Sequence, residues 1–205
     1  MEVNIRNDHV EVEGYVNAVE RNSKPLNSRL GGFVERINKG AFADAIKRNS
    51  DIHVLLNHDW TRDLGSTAKG NLELSEDSIG LRARAEIYDK DVIKKARNNE
   101  LVGWSFGFTD KDVDTETDSD TNLPLRKVRS LDLYEVSILD NSRTPAYEGT
   151  LLNARDKQLQ FYGVDMIDKV QVRDLEQNEQ KEKPIDYSKA EKIISDMKGD
   201  NYYVI

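Results

Sequence analysis

The sequence predicts an α+β fold, a mainly antiparallel β-sheet or barrel flanked by a few helices. Several short stretches alternate apolar and polar residues, the period of a half-buried strand. Two clear segments, near residues 40–48 and 89–98, space their apolar residues as a helix does. Turn-forming clusters of Gly, Asn, Asp and Ser separate the strands at short intervals, the punctuation of hairpins.

Taken in order, Val10, Val12, Val16 and Ala18 form a first strand, with Gly14 as a candidate bulge, and Asn22–Gly32 is a turn-rich loop. Gly40–Arg48 reads as a short helix that buries Phe42, Ala45 and Ile46. A strand carrying Ile52, Val54 and Leu56 on one face follows. Leu72 and Leu74 open a hairpin that turns through Glu76–Gly80. It returns with Leu81, Ala83, Ala85 and Ile87 on one face and Arg82, Arg84 and Glu86 on the other. Asp89 or Asp91 caps a helix running to about Asn98, packed through Val92, Ile93 and Ala96. Asp110–Thr121 holds six acids and one lysine and reads as a solvated, mobile loop, with an acidic flap selecting basic substrates as the alternative. Leu125–Leu139 supplies one long strand or two consecutive ones. The expected division is a domain over 1–154 and a polar, partly helical appendage over 155–205. The appendage holds a helix over Ser188–Lys198 and an apolar end, Tyr202–Ile205.

The segment Val102-Gly103-Trp104-Ser105-Phe106-Gly107-Phe108 carries the most chemistry. As a strand it turns Val102, Trp104, Phe106 and Phe108 one way, and Gly103, Ser105 and Gly107 the other. A single hydroxyl between two positions without side chains suits a nucleophile reached by an extended peptide, with Gly103 and Gly107 leaving room for it. It also suits a strand whose glycines accommodate a packed neighbour. Of three histidines, His58 continues the apolar face of Ile52, Val54 and Leu56 at its polar rim, the setting of a general base or of a satisfied structural histidine. His9 precedes the first strand, and His53 falls on the face opposite His58. Glu135 lies in Leu131–Leu139, a strand largely apolar on both faces. Leu131, Leu133, Ser137 and Leu139 share its side. A carboxylate embedded there needs a partner, either an imidazolium or a structural donor. Together these residues supply nucleophile, base and orienting acid. Ser137, on the face of Glu135, is the rival nucleophile. A metal hydrolase built on His58 and Asp59 lacks the supporting His-x-Glu or His-Glu-x-x-His spacing.

Seven segments in consistent order resemble the tailed-bacteriophage prohead maturation proteases. They are Phe33–Phe42, Leu56–Asp59, Leu64–Thr67, Glu76–Leu81, Trp104–Phe108, Leu133–Ile138 and Thr144–Tyr147, and the likeness runs from about residue 10 to about residue 150. That family is similar in fold to the herpesvirus capsid-maturation proteases. The resemblance therefore implies a closed or nearly closed barrel surrounded by helices, with His58, Ser105 and Glu135 as the triad of a serine endopeptidase. It implies that coat precursor and scaffold are substrates, with self-cleavage a further expectation, and that the enzyme works inside the assembling prohead in the host cytoplasm. By analogy with an arginine-bearing loop in the herpesvirus enzymes, Arg143 is the candidate oxyanion donor. A homodimer is an allowed state. The alternative from another class is a non-catalytic scaffolding or coat-binding module on the same fold.

Composition narrows the field further. The 205 residues contain no cysteine, which excludes disulfides, thiolate metal sites and cysteine nucleophiles. No apolar run reaches the roughly 18 residues needed to span a membrane, and Met1–Val10 lacks the pattern of a secretory signal. A formal charge of −8 argues against general nucleic-acid binding. No cofactor and no metal are expected.

Overall fold

Strand alternation builds the framework. The computed structural model describes residues 1–28, 31–142, 152–154, 157–163 and 170–174. In chain order the elements are β1 (Glu2–Ile5), β2 (Val10–Ala18), β3 (Leu26–Ser28), β4 (Gly31–Ile37), α1 (Ala41–Arg48), β5 (His53–Leu56), β6 (Asp59–Ser66), β7 (Leu72–Glu76) and β8 (Gly80–Ile87). These are followed by α2 (Lys90–Arg97), β9 (Leu101–Thr117), β10 (Pro124–Asp140), β11 (Leu152–Ala154), β12 (Lys157–Gly163) and β13 (Gln171–Asp174). The fold is thus mostly β with two helices, α+β-like as the patterning predicts.

One sheet has the order β13-β1-β2-β8-β7. The other runs β11-β12-β9-β10-β4-β3, with β5 paired to β10 and to β6. Pairing is mainly antiparallel, but β4 and β5 lie parallel to successive stretches of β10, and β13 lies parallel to β1. The expected barrel is corrected here. No ladder among the described residues joins the outer strands of one sheet to the other, so both sheets stay open. They share a core instead: Val12, Val16, Leu81 and Ile87 from the first belong to one buried cluster with Trp104, Phe106, Phe108 and Val136 from the second. Phe106 stacks on Phe108 at 5.3 Å and meets Phe42 of α1 edge-on at 5.4 Å, which fixes α1 against this core face.

The helices follow their signals with one difference. Asp89 caps α2 by accepting from the amides of Asp91 and Val92, and Val92 and Ala96 are buried. The start of α1 has no side-chain cap of its own. Glu76 of β7 supplies it from outside, its carboxylate accepting from Gly40 N at 2.6 Å and Ala43 N at 2.7 Å. The bulge expected at Gly14 falls two residues later, at Val16 between Tyr15 and Asn17. Gly14 serves close approach: a Cβ there would sit 2.9 Å from Met1 Cα.

The acidic segment after residue 109 is not a loop. It forms the outer half of β9, paired to β10 as far as Thr117 with Pro124. Its acids are matched across the ladder: Lys127 with Glu116 at 2.7 Å, Arg129 with Asp112 and Asp114 at 3.0 and 2.8 Å, and Arg126 with Asp110. Cross-strand cations turn what reads as a charged loop into a hairpin arm. Arg126 also holds the buried carboxylate of Glu35 at 3.0 Å.

Of the stretch expected as an appendage from residue 155, β12 pairs with β9 and β13 with β1, within a compact unit spanning Met1–Leu175. Arg143, the helix expected over 188–198 and the apolar end at 202–205 lie outside the described residues.

Candidate active site

The site forms where β10 passes between β9 and β5. In the β9–β10 ladder Ser105 stands opposite Ser137, Gly107 opposite Glu135 and Gly103 opposite Leu139. Residues directly opposite share a face, so Glu135 and Ser137 lie on the side of Ser105, away from the core face of Trp104 and Phe106. A register shift between Leu133 and Glu135 makes this so. Simple alternation puts Leu131 and Leu133 beside Glu135. Tyr134 is the extra residue, and it turns Leu133 toward Phe108 and the core while Glu135 faces the opposite way. A bulge that re-aims one side chain is a recurrent feature beside active sites.

His58 does not continue a strand. Leu56 pairs with Asp59, so Asn57 and His58 are the two central residues of the β5–β6 hairpin turn, at φ 57° and 61°. Both at positive φ is the type I′ arrangement, which matches strand twist, and Asn is among the residues that adopt it most readily. His58 at positive φ is uncommon and is held by its partners. Its backbone N–H donates to Ser137 Oγ at 3.0 Å, and Asn57 N–H donates to the Ile138 carbonyl at 2.9 Å. The face reading of β5 holds: Ile52, Val54 and Leu56 belong to the main core cluster, while Leu55, opposite Ser137, is buried on the other face.

The turn delivers the ring to the carboxylate. His58 Nδ1 lies 2.8 Å from Glu135 Oε1, while Ser137 Oγ donates to Glu135 Oε2 at 2.5 Å. The Glu135 side chain is 1 % exposed and that of His58 17 %, so this contact is screened from water while the ring keeps an open edge. With an ionised carboxylate on Nδ1, the proton belongs on Nδ1 and Nε2 is the acceptor. Ser105 is buried with no exposed surface, and on its strand a Cβ added at Gly103 would meet nothing within 4 Å among the described residues. His53 is the ladder neighbour of Glu135, with its Nδ1 3.3 Å from Asp63.

Two further residues brace the turn, and the sequence reading gave them no role. Asn57 Oδ1 accepts from Asp140 N at 3.0 Å. The Asp140 carboxylate is itself held by Ser142 Oγ at 2.5 Å, Ser142 N at 3.0 Å and Lys95 Nζ at 3.1 Å. Burial pushes this carboxyl upward, but hydrogen bonds from Ser142 and Asn57 and the Lys95 ammonium outweigh it and bring it down to about 2. The available signal was an Asn-His pair between an apolar run and a polar one, which is hairpin-turn chemistry.

The profile of the caudovirus prohead serine proteases matches residues 1–164. The chain belongs to that family. A curated relative, the prohead protease of Escherichia phage T5, is 25% identical over 145 residues, covering 63% of this chain and 65% of that protein. The chain thus spans a little under two thirds of that relative's length. No solved structure gives a significant match. No helix among the described residues is long and apolar enough to cross a membrane.

Proposed function

We propose that this member of the prohead protease family is a serine endopeptidase that cleaves coat precursor and scaffold during capsid assembly, with Ser105, His58 and Glu135 as its triad. The observation that carries the reading is the buried Glu135 carboxylate 2.8 Å from His58 Nδ1, on the sheet face where Ser105 stands opposite Ser137. Ser105 Oγ attacks the scissile carbonyl, and His58 Nε2 takes the hydroxyl proton. The same nitrogen returns a proton to the leaving amine, and water then releases the acyl group by the reverse route. Glu135 fixes the ring and stabilises the imidazolium that forms. Ser137 is assigned a supporting part, since its hydroxyl already donates to Glu135 and accepts from His58 N. Gly103 and Gly107 are assigned to substrate approach, and Arg143 to the oxyanion. No metal or cofactor enters these steps.

By the same reading the enzyme acts inside the assembling prohead in the host cell, where it also cleaves itself, either alone or as a homodimer. Kinship in fold with the herpesvirus capsid-maturation proteases belongs to this proposal, as does an assembly-docking role for the polar stretch beyond Leu175. A non-catalytic assembly module is favoured by one observation, the complete burial of Ser105, since attack requires that face to be uncovered. Incubation of the purified chain with coat precursor separates the two. Cleavage by the wild type, absent in Ser105→Ala and His58→Ala variants with unchanged circular dichroism, supports the protease. Equal cleavage by Ser105→Ala discards Ser105 as nucleophile.

A further inference from the structure

A recess opens farther along the triad's own sheet face. On β9, which has no bulge between residues 105 and 109, Ser105, Gly107 and Thr109 share one side. Their ladder partners Ser137, Glu135 and Asp132 lie on that side too. Tyr134 joins them, its hydroxyl 3.1 Å from Thr109 Oγ1. Here the end of α1, the start of β5 and the side chain of Trp60 on β6 enclose a cavity of about 450 Å3 with Asp132 and Tyr134. Thr109 lies four residues along the strand from Ser105, a span of about 13 Å at the usual rise. An extended peptide at Ser105 therefore reaches this cavity with a side chain three or four residues from the scissile bond.

The lining indicates which side chain. Arg48 is the fixed cation of the cavity and is already committed, donating to the Leu131 carbonyl at 2.6 Å and lying 3.7 Å from Asp132. The Asp51 carboxylate, which also lines the cavity, is half-exposed, with His53 Nε2 at 3.7 Å. Asp63 flanks the other nitrogen of that ring. Asp132 is shared with Lys111 at 3.4 Å and Asp63 is held by Lys69 at 2.7 Å, which leaves Asp51 as the lining carboxylate with only an imidazole beside it among the described residues. Trp60 is 46 % exposed, although its ring is already oriented by an edge contact with His53 at 5.3 Å. An oriented indole beside an accessible carboxylate is a receptor for a planar cation. We propose that this cavity is a substrate subsite for a basic side chain, arginine ahead of lysine, three or four residues from the cleaved bond. The proposal rests on the protease reading.

The full chain is tested on fluorogenic peptides in which each position within five residues of the scissile bond carries Arg, Lys, Gln or Glu in turn. The expected result is one position, three or four residues away, where Arg exceeds Gln by about tenfold in kcat/KM, the worth of an exposed charge pair plus a cation–π contact. Asp51→Asn and Trp60→Ala should each cut that preference to about threefold or less, as one contact of the two is lost. They should leave turnover of the Gln peptide unchanged, which separates loss of the subsite from damage to the fold. Cleavage with no basic preference, or a preference intact in both variants, overturns the subsite alone. Failure of the wild type to cleave any peptide or coat precursor overturns the protease reading and the subsite with it.

Discussion

Replacement of Asp140 by asparagine tests the brace behind the His58 turn. The carboxyl is held at about 2 against an ordinary 3.8, and its side chain is 3 % exposed, so solvent screens it little. That difference stabilises the folded state by about 2 kcal/mol at neutral pH. A folded-state value below the unfolded one means the contribution is complete above pH 3.8. It is lost as pH falls from there through about 2. Asp140→Asn should therefore lower the urea unfolding free energy by about 2 kcal/mol at pH 7, with the gap to wild type closing as the pH approaches 2. Turnover should fall together with stability, because the Asn57 side chain is also hydrogen-bonded to the Asp140 carboxylate and Asn57 positions the ring-bearing residue next to it. Asn57→Gly, which keeps the positive φ of the turn, should reproduce the loss of turnover with a smaller loss of stability, of about 1 kcal/mol. A difference under about 0.5 kcal/mol at pH 7, the size of an ordinary surface substitution, would refute the reasoning, as would one constant from pH 7 to pH 2.

The other expectations concern the site and its surroundings. Glu135→Gln should cut turnover by about a hundredfold or more with the fold retained, whereas Ser137→Ala should leave measurable cleavage, and a complete loss in Ser137→Ala would reopen the choice of nucleophile. Arg126→Met should cost about 3 kcal/mol or more in denaturant unfolding, because it leaves Glu35, 4 % exposed, without its guanidinium. A chain cut after Leu175 should stay folded and cleave peptides yet fail to enter proheads, whereas a cut after Asn153 removes β12 and β13 and should unfold or precipitate; solubility, circular dichroism and packaging assays distinguish these.

Much of the framework was legible because it depends on period and caps. The β7–β8 hairpin, the Asp89-capped helix and the aromatic side of the Ser105 strand all follow from local patterns, and the structure agrees with each. What stayed hidden depends on partners distant in sequence. The acids of 110–116 read as a loop because their balancing cations lie at 126–129, on another strand. The bulge at Tyr134 leaves no mark in a run that is apolar on both sides. The role of Asp140 is invisible without Lys95 and Asn57, which arrive from separate elements.

Tyr134 has a consequence for how this protein tolerates change. Glu135 reaches Ser105's face because the chain carries one residue more than the ladder requires. The site is therefore encoded partly as parity, a matter of counting and not of residue type. Replacing Tyr134 by another side chain keeps the count. Deleting it would restore a regular ladder and present every residue from one side of the deletion on the opposite face, sending the Glu135 carboxylate into the aromatic core or Leu133 out of it. Over 129–134, variation among homologues should appear as substitution at constant length, while insertions and deletions collect in the turn at 118–123, where an added residue leaves the count along β10 intact.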